Sequence, residues 1–231
     1  MCGRFAFAAS VDENQRAFPG FEFPSDMPKR YNIAPGQPVI ALANNAHKRA
    51  VAFKWGLVPS WSKDPKIGNK LINARAETLH EKPSFRSAFK RRRCLIPTTG
   101  FYEWQKQPDG KTKIPMLITL TTKQPFAFAG LWEHWGSPEG DEIETCTIIT
   151  TEPNALMADI HNRMPVILPQ KAYEHWLDPT EKRPEELQAL LAPYPTEEMT
   201  AHPVSSRVNI PTQDTEACII PVSQPEQGAL F

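Results

Sequence analysis

Gly100-Phe101-Tyr102-Glu103-Trp104-Gln105-Lys106-Gln107-Pro108-Asp109-Gly110-Lys111-Thr112-Lys113-Ile114-Pro115-Met116-Leu117-Ile118-Thr119-Leu120-Thr121 is the stretch that decides the fold class. Two runs rich in aromatic and branched residues, 101–105 and 114–121, flank a Pro-Asp-Gly turn signal. That spacing predicts a β-hairpin. The same pattern recurs outward. Residues 38–43 and 50–55 flank Asn44-Asn45-Ala46-His47, and 126–132 and 143–151 flank the turn-rich segment 136–140. Residues 94–97 read as a further strand, and 1–7 as a short one with Phe5 and Phe7 on one face.

Helices are few and short. Ser10-Val11-Asp12-Glu13 matches a capping box and opens a helix to about Phe18. Ser84 is placed to cap a helix over 85–91, with Phe85 and Phe89 one turn apart on its inner side. Residues 153–159 suggest a short helix, and Pro184 with Leu187, Leu190 and Leu191 another. Tyr31-Asn32-Ile33-Ala34-Pro35-Gly36 reads as a loop, and 55–61 as irregular. Hairpins outnumber crossover helices, so the expected class is α+β, with a mainly antiparallel, barrel-like sheet.

A chain of 231 residues is long enough for one domain or two. The 24 prolines are spread along it and no repeat or long linker marks a boundary, which favours a single domain over 1–222. Formal net charge is zero, but charge is segregated. Lys82, Arg86, Lys90, Arg91, Arg92 and Arg93 fall in one acid-free run, and 174–198 holds seven acids against Lys182 and Arg183. A basic face is therefore compatible with neutral balance, although a solvated helix explains the run equally simply. Cys2, Cys94, Cys146 and Cys218 lie far apart, without a CxxC pair or signal peptide. No metal, cofactor or disulfide framework is implied, and no apolar run approaches the ~20 residues that span a bilayer. A reduced, cytoplasmic monomer is expected.

The chemistry gathers at Met1-Cys2-Gly3-Arg4. Removal of Met1, which the small side chain of Cys2 permits, leaves an amine and a thiol on adjacent carbons. Their ordinary pKa values, ~8 and ~8.5, leave both partly deprotonated near neutrality. Such a 1,2-aminothiol condenses with an aldehyde to an imine and closes on it as a thiazolidine. A small residue at a frayed terminus is the plainer explanation of Cys2 taken alone. Asn73 and Arg75 share a face if 73–75 is extended. Glu103 sits among aromatic neighbours that raise a carboxyl pKa. His161 titrates near neutrality, Arg4 and Arg163 carry forked donors for phosphate or carboxylate, and Trp61 in a loop offers a surface for a base. Each alone has an ordinary structural explanation.

Together these residues resemble the SRAP (SOS-response-associated peptidase) family. Met1-Cys2-Gly3-Arg4-Phe5, Tyr31-Asn32-Ile33-Ala34-Pro35-Gly36, Trp55-Gly56-Leu57-Val58-Pro59-Ser60-Trp61 and Asn73-Ala74-Arg75-Ala76-Glu77-Thr78 carry the resemblance. Gly100-Phe101-Tyr102-Glu103-Trp104, Asp159-Ile160-His161-Asn162-Arg163-Met164-Pro165 and His202-Pro203-Val204-Ser205 continue it in order. The resemblance implies an SRAP fold and capture of abasic sites in single-stranded DNA as a covalent thiazolidine on Cys2, shielding the lesion. An associated strand-nicking lyase activity and self-removal of Met1 are further implications. It makes Cys2 the nucleophile, Asn73 the residue that positions the linkage, Glu103 the acid–base carboxylate and His161 the proton-transfer group. Arg4, Arg75, Arg86 and Arg163 match phosphate-holding positions, and Pro35 and Trp61 would wedge or stack beside the lesion. The chain departs from the pattern at Trp61-Ser62, where the resemblance leads one to expect a second tryptophan.

Two other classes fit part of this pattern: an N-terminal-nucleophile hydrolase that uses its α-amine as base, and a non-covalent single-strand binder. Ammonia release from glutamine distinguishes the first, and indifference to Cys2 the second. The end of the chain, 223–231, reads as a flexible tail. Its Gln227-Gly228-Ala229-Leu230-Phe231 resembles a peptide that docks on the replication sliding clamp, with Leu230 and Phe231 as apolar anchors. Deleting residues 227–231 is expected to abolish capture on the clamp in a pull-down; undiminished capture would refute the match.

Overall fold

A computed structural model describes residues 2–45 and 47–223. The tail peptide at 227–231 therefore lies outside the described residues. Five strands close into a barrel: β3 (Pro38–Ala43), β4 (Ala50–Trp55), β6 (Arg93–Thr98), β9 (Phe126–Gly136) and β10 (Glu142–Thr151). Four contacts around the ring are antiparallel, and the closing pair, β10 with β4, is parallel. β5 (Asn73–Arg75) also runs parallel to β10, with Asn73 opposite Ile148, and the short strands β11 (Met164–Pro165) and β12 (Ile167–Leu168) pair with β10 and β9.

A second sheet has the order β13–β8–β7–β1–β2, from β13 (Met199–Pro203), β8 (Lys113–Leu120), β7 (Gly100–Lys106), β1 (Phe5–Phe7) and β2 (Arg30–Ile33). The hairpin expected at 101–121 is β7 and β8, paired from Phe101 with Ile118 to Lys106 with Lys113. Alternation along the barrel strands explains the core. Ala41, Phe53, Trp55, Cys94, Ile96, Phe128, Cys146 and Ile148 share one cluster with Phe5, Phe101 and Ile118 of the second sheet. Their neighbours Leu42, Leu95, Ala129, Leu131 and Ile149 pack instead against helical Phe89, Trp176 and Leu187. All four cysteines are free and buried, and no described helix is long and apolar enough to cross a membrane.

The capping box at Ser10 forms as expected and opens α1 (Val11–Ala17). Three expectations are corrected. Tyr31-Asn32-Ile33 is strand β2, because pairing with β1 and hydrogen bonds from both Tyr31 N and Asn32 N to Asp214 Oδ1 hold it extended. Ser84 does not cap α2 (Arg86–Arg91); Phe85 holds the N-cap position without a side-chain bond, and burial of Phe85 and Phe89 anchors the helix instead. The basic run does not form a continuous basic face. Arg93 is fully buried and donates to carbonyl oxygens of Phe89, Lys90, Trp176, Asp178 and Thr180. Arg92 pairs with Glu133 at 2.7 Å, and Arg91 and Lys90 with Glu181 at 3.2 and 3.8 Å. Basic and acidic stretches that are remote in sequence thus meet in space.

The short helices α3 (Ala155–Ala158) and α5 (Pro184–Gln188) lie where they were expected, whereas α4 (Tyr173–Leu177) was not foreseen. The loop from β4 towards Trp61 depends on Gly56. Its φ of 126° belongs to a region that side chains resist, its N–H bonds Cys146 O at 2.8 Å, and an added Cβ would lie 2.6 Å from Gly68 O. Gly56→Ala is expected to destabilise the fold by roughly 2 kcal/mol or more, strain and clash together, in urea unfolding. A variant with unchanged midpoint would disprove this account of the turn.

Candidate functional site

Cys2 is not at a frayed end. It is fully buried, and β1 behind it lies between β7 and β2. Phe5 packs edge-on against Trp55 at 5.2 Å and Phe128 at 5.8 Å, which ties the start of the chain to the barrel. Asn73, at the head of β5, donates from Nδ2 to Cys2 O at 2.8 Å. Its Oδ1 is buried and has no hydrogen-bond partner among the described residues, so an acceptor is available beside Cys2.

Glu103 reaches the same place from β7. Phe5 pairs with Phe101, and Tyr102 N–H donates to Arg4 O at 2.9 Å. Continuing that register sets Glu103 opposite Gly3, next to Cys2. The carboxyl is 4% exposed, and burial pushes its pKa up to about 7. It is therefore poised to give or take a proton at neutral pH. Burial, and then the charge of Glu103, pushes the Cys2 thiol far above its ordinary range. In the chain that still carries Met1 the buried sulfur is thus held protonated; the partly ionised thiol was expected of the trimmed terminus.

His161 follows α3, whose end is closed by bonds from Ile160 N and His161 N to Met157 O at 2.9 and 2.7 Å. The Arg163 N–H donates to His161 Nδ1 at 3.1 Å. The same Nδ1 lies 3.3 Å from Arg163 O; the shorter contact, to the N–H, favours Nδ1 as the acceptor and the proton of the neutral ring on Nε2. Burial lowers the basicity of the ring, which favours that neutral form. The turn is tied to β7 by Gln105 Nε2, which donates to Asp159 O at 3.1 Å from a position two residues beyond Glu103.

The residues expected to contact DNA divide into two kinds. Pro35, Trp61, Arg75 and Arg86 are exposed, Trp61 to 59%. The Pro35 turn is linked to the Trp61 loop at its base, since Gly36 N–H donates to Trp55 O at 2.8 Å, and Trp135 Nε1 holds Ser62 O at 2.6 Å. Arg4 and Arg163 spend donors on the protein itself. Arg4 Nη1 bonds Asn32 Oδ1 at 2.8 Å and Val208 O at 2.5 Å, with its guanidinium over the Trp104 ring. Arg163 makes a two-pronged pair with Glu77 and donates to Thr150 O.

Residues 1–211 match the family model described as SOS response associated peptidase (SRAP). The chain belongs to the SRAP family. Among relatives of this SRAP chain, the abasic site processing protein YoqW of Bacillus subtilis is 49% identical over 222 residues, covering 95% of this chain and 99% of that one. The chicken (Gallus gallus) abasic site processing protein HMCES is 34% identical over 202 residues, covering 78% of this chain and 60% of that one. A crystal structure of a protein from Bacteroides thetaiotaomicron superposes with a TM-score of 0.82 at 30% identity, covering 92% of this chain and 98% of the other.

Glu77, Gln105 and Asn32 were not singled out as site residues from the sequence. Glu77 lies inside a motif block that named its neighbours, and Gln105 shares the alternation of Glu103 along β7, which was the available signal. The raised Glu103 pKa has a consequence for stability. A carboxyl whose folded pKa lies above its unfolded value of 4.5 costs little at pH 4; its destabilisation of the fold builds as pH rises from 4.5 to about 7 and levels off above that. Glu103→Gln is expected to stabilise the protein at pH 8 relative to pH 4 by up to about 3 kcal/mol. Denaturant unfolding at the two pH values measures this, and an equal effect at both would show that the carboxyl is not perturbed.

Proposed function

We propose that this SRAP chain processes abasic sites in single-stranded DNA by covalent capture at Cys2. The observation that carries the proposal is the assembly around Cys2: the residue is buried in the core, held through its carbonyl by Asn73, and adjacent to a carboxyl with a pKa of about 7. The names of its relatives in Bacillus subtilis and chicken support the same reading.

Removal of Met1 frees the Cys2 amine. The ring-opened deoxyribose of an abasic site presents an aldehyde at C1′. The amine adds to that carbon, and loss of water gives an imine. The neutral thiol then adds its sulfur to the imine carbon while its proton passes to the nitrogen, closing the thiazolidine. Because the buried sulfur is not ionised, a base must assist it, and Glu103 is that base. Its carboxylate takes the thiol proton and returns it to nitrogen, so no net charge forms in a buried site. Asn73 Oδ1, without a partner among the described residues, is the acceptor that orients the nitrogen. His161, neutral with its proton on Nε2, donates to the sugar oxygen as the ring opens.

If the thiol does not close on it, the imine acidifies the neighbouring sugar carbon, and β-elimination nicks the strand. A thiol held beside the imine has a high effective concentration, which favours ring closure over elimination. Arg75 and Arg86 are the exposed cations available to the phosphates, and Trp61 and Pro35 the apolar surface for bases flanking the lesion.

Cys2→Ala and Cys2→Ser each keep the amine and lose the thiol. Both are expected to form an imine that borohydride traps on abasic single-stranded DNA, and to lose the adduct that survives heat on a denaturing gel. A full yield of heat-stable adduct from Cys2→Ala would overturn capture through the thiol.

A further inference from the structure

The chemistry above uses Asn73, Glu103 and His161 but leaves unexplained what holds the histidine in place. His161 lies in a turn between α3 and β11 (Met164–Pro165), whereas Asn73 and Glu103 stand on strands. Arg163 supplies one connection. Its guanidinium donates from Nη1 to Glu77 Oε1 at 2.7 Å, and from Nη2 to Glu77 Oε2 at 3.0 Å and Thr150 O at 2.7 Å. Thr150 pairs with Arg75 of β5 on one side and Pro165 of β11 on the other. One side chain thus joins the segment after Asn73, the long strand β10 and the His161 turn.

The Arg163 side chain is only 15% exposed, and its Nε is buried without a partner among the described residues. Without the Glu77 carboxylate, that cation would be left buried with its charge unpaired, and moving the turn towards solvent would be its simplest relief. The backbone N–H of the same Arg163, at 3.1 Å, is the shorter of its two contacts with His161 Nδ1, the other being its carbonyl oxygen at 3.3 Å, and favours the ring protonated on Nε2. A shift of the arginine main chain therefore reaches the imidazole through one hydrogen bond.

We propose that Glu77 is a positioning residue: by pairing with Arg163 it fixes the turn and the tautomer of His161. Gln105 braces the opposite side of the turn through Asp159 O, from the strand that carries Glu103. The two braces index the histidine to both strands. Glu77 acts through Arg163 and touches no reacting atom. The kinetic part of this proposal rests on the proposed role of His161, and the tautomer part does not.

Two measurements on the Met-trimmed full chain test it, with Glu77→Gln, which keeps the shape and removes the charge. The first is a long-range proton–nitrogen NMR spectrum of the His161 ring, assigned by loss of its signals in His161→Gln. The wild type is expected to show the Nε2–H tautomer, and Glu77→Gln a mixture with the Nδ1–H form. The second is single-turnover adduct formation on an abasic oligonucleotide. Glu77→Gln is expected to slow it about tenfold, to add no further loss in a His161→Gln background, and to leave affinity for the intact oligonucleotide within about twofold. An unchanged tautomer, a full further loss without His161, or a loss confined to DNA affinity would each overturn the proposal. If the wild type forms no adduct, the proposed function fails while the tautomer still decides the role of Glu77. Should Glu77→Gln not fold, Glu77→Asp, with its carboxylate one methylene short, is expected to give the same tautomer mixture, and a wild-type spectrum from it would count against the proposal.

Discussion

Phe5 wedged edge-on between Trp55 and Phe128 is the contact on which the site depends. A terminal segment ordinarily frays, because nothing beyond it shares the entropy of ordering. Here the first strand lies inside a sheet, and its aromatic side chain reaches into the core shared with the barrel. Burying such a ring contributes on the order of 2–3 kcal/mol, and backbone bonds on both edges of β1 add to it. The residue before that strand therefore has a defined position, and a buried thiol and a raised carboxyl can face each other only because of it.

The same burial sets the electrostatics. Removing Cys2 and Glu103 from water penalises the charged form of each, so both groups are neutral over part of the physiological range. Neutral groups that exchange protons suit the capture proposed above, in which charge would otherwise build up away from water. The arginines show the complementary economy. Arg93 and Arg4 satisfy backbone carbonyls and Arg163 pairs with the Glu77 carboxylate, whereas Arg75 and Arg86 are on the surface. A chain of zero net charge can thus present surface cations without being basic as a whole.

Local signals carried much of the fold. The hairpins at 38–55, 101–121 and 126–151 form where alternating runs flank turn residues, and the Ser10 capping box closes because its partners lie three residues apart. The signals that failed were those a distant segment overrides. Residues 31–33 lack a strong strand pattern and are extended because β1 and Asp214 hold them so. Helix α4 buries Trp176 and Tyr173 against the outer face of the barrel, a surface that exists only after closure.

What the sequence determined by itself was the list of reactive groups and the hairpin grammar: an aminothiol at the start of the chain, a carboxylate among aromatics, a histidine in a polar turn. Those depend on residue identity and short spacing. What only the tertiary structure decided was which groups meet and in which protonation state. Asn73 reaches the Cys2 carbonyl across 71 positions, and Glu77 reaches Arg163 across 86. Such contacts follow from strand order and register, and the pKa of about 7 at Glu103 follows from burial, which no local spacing encodes.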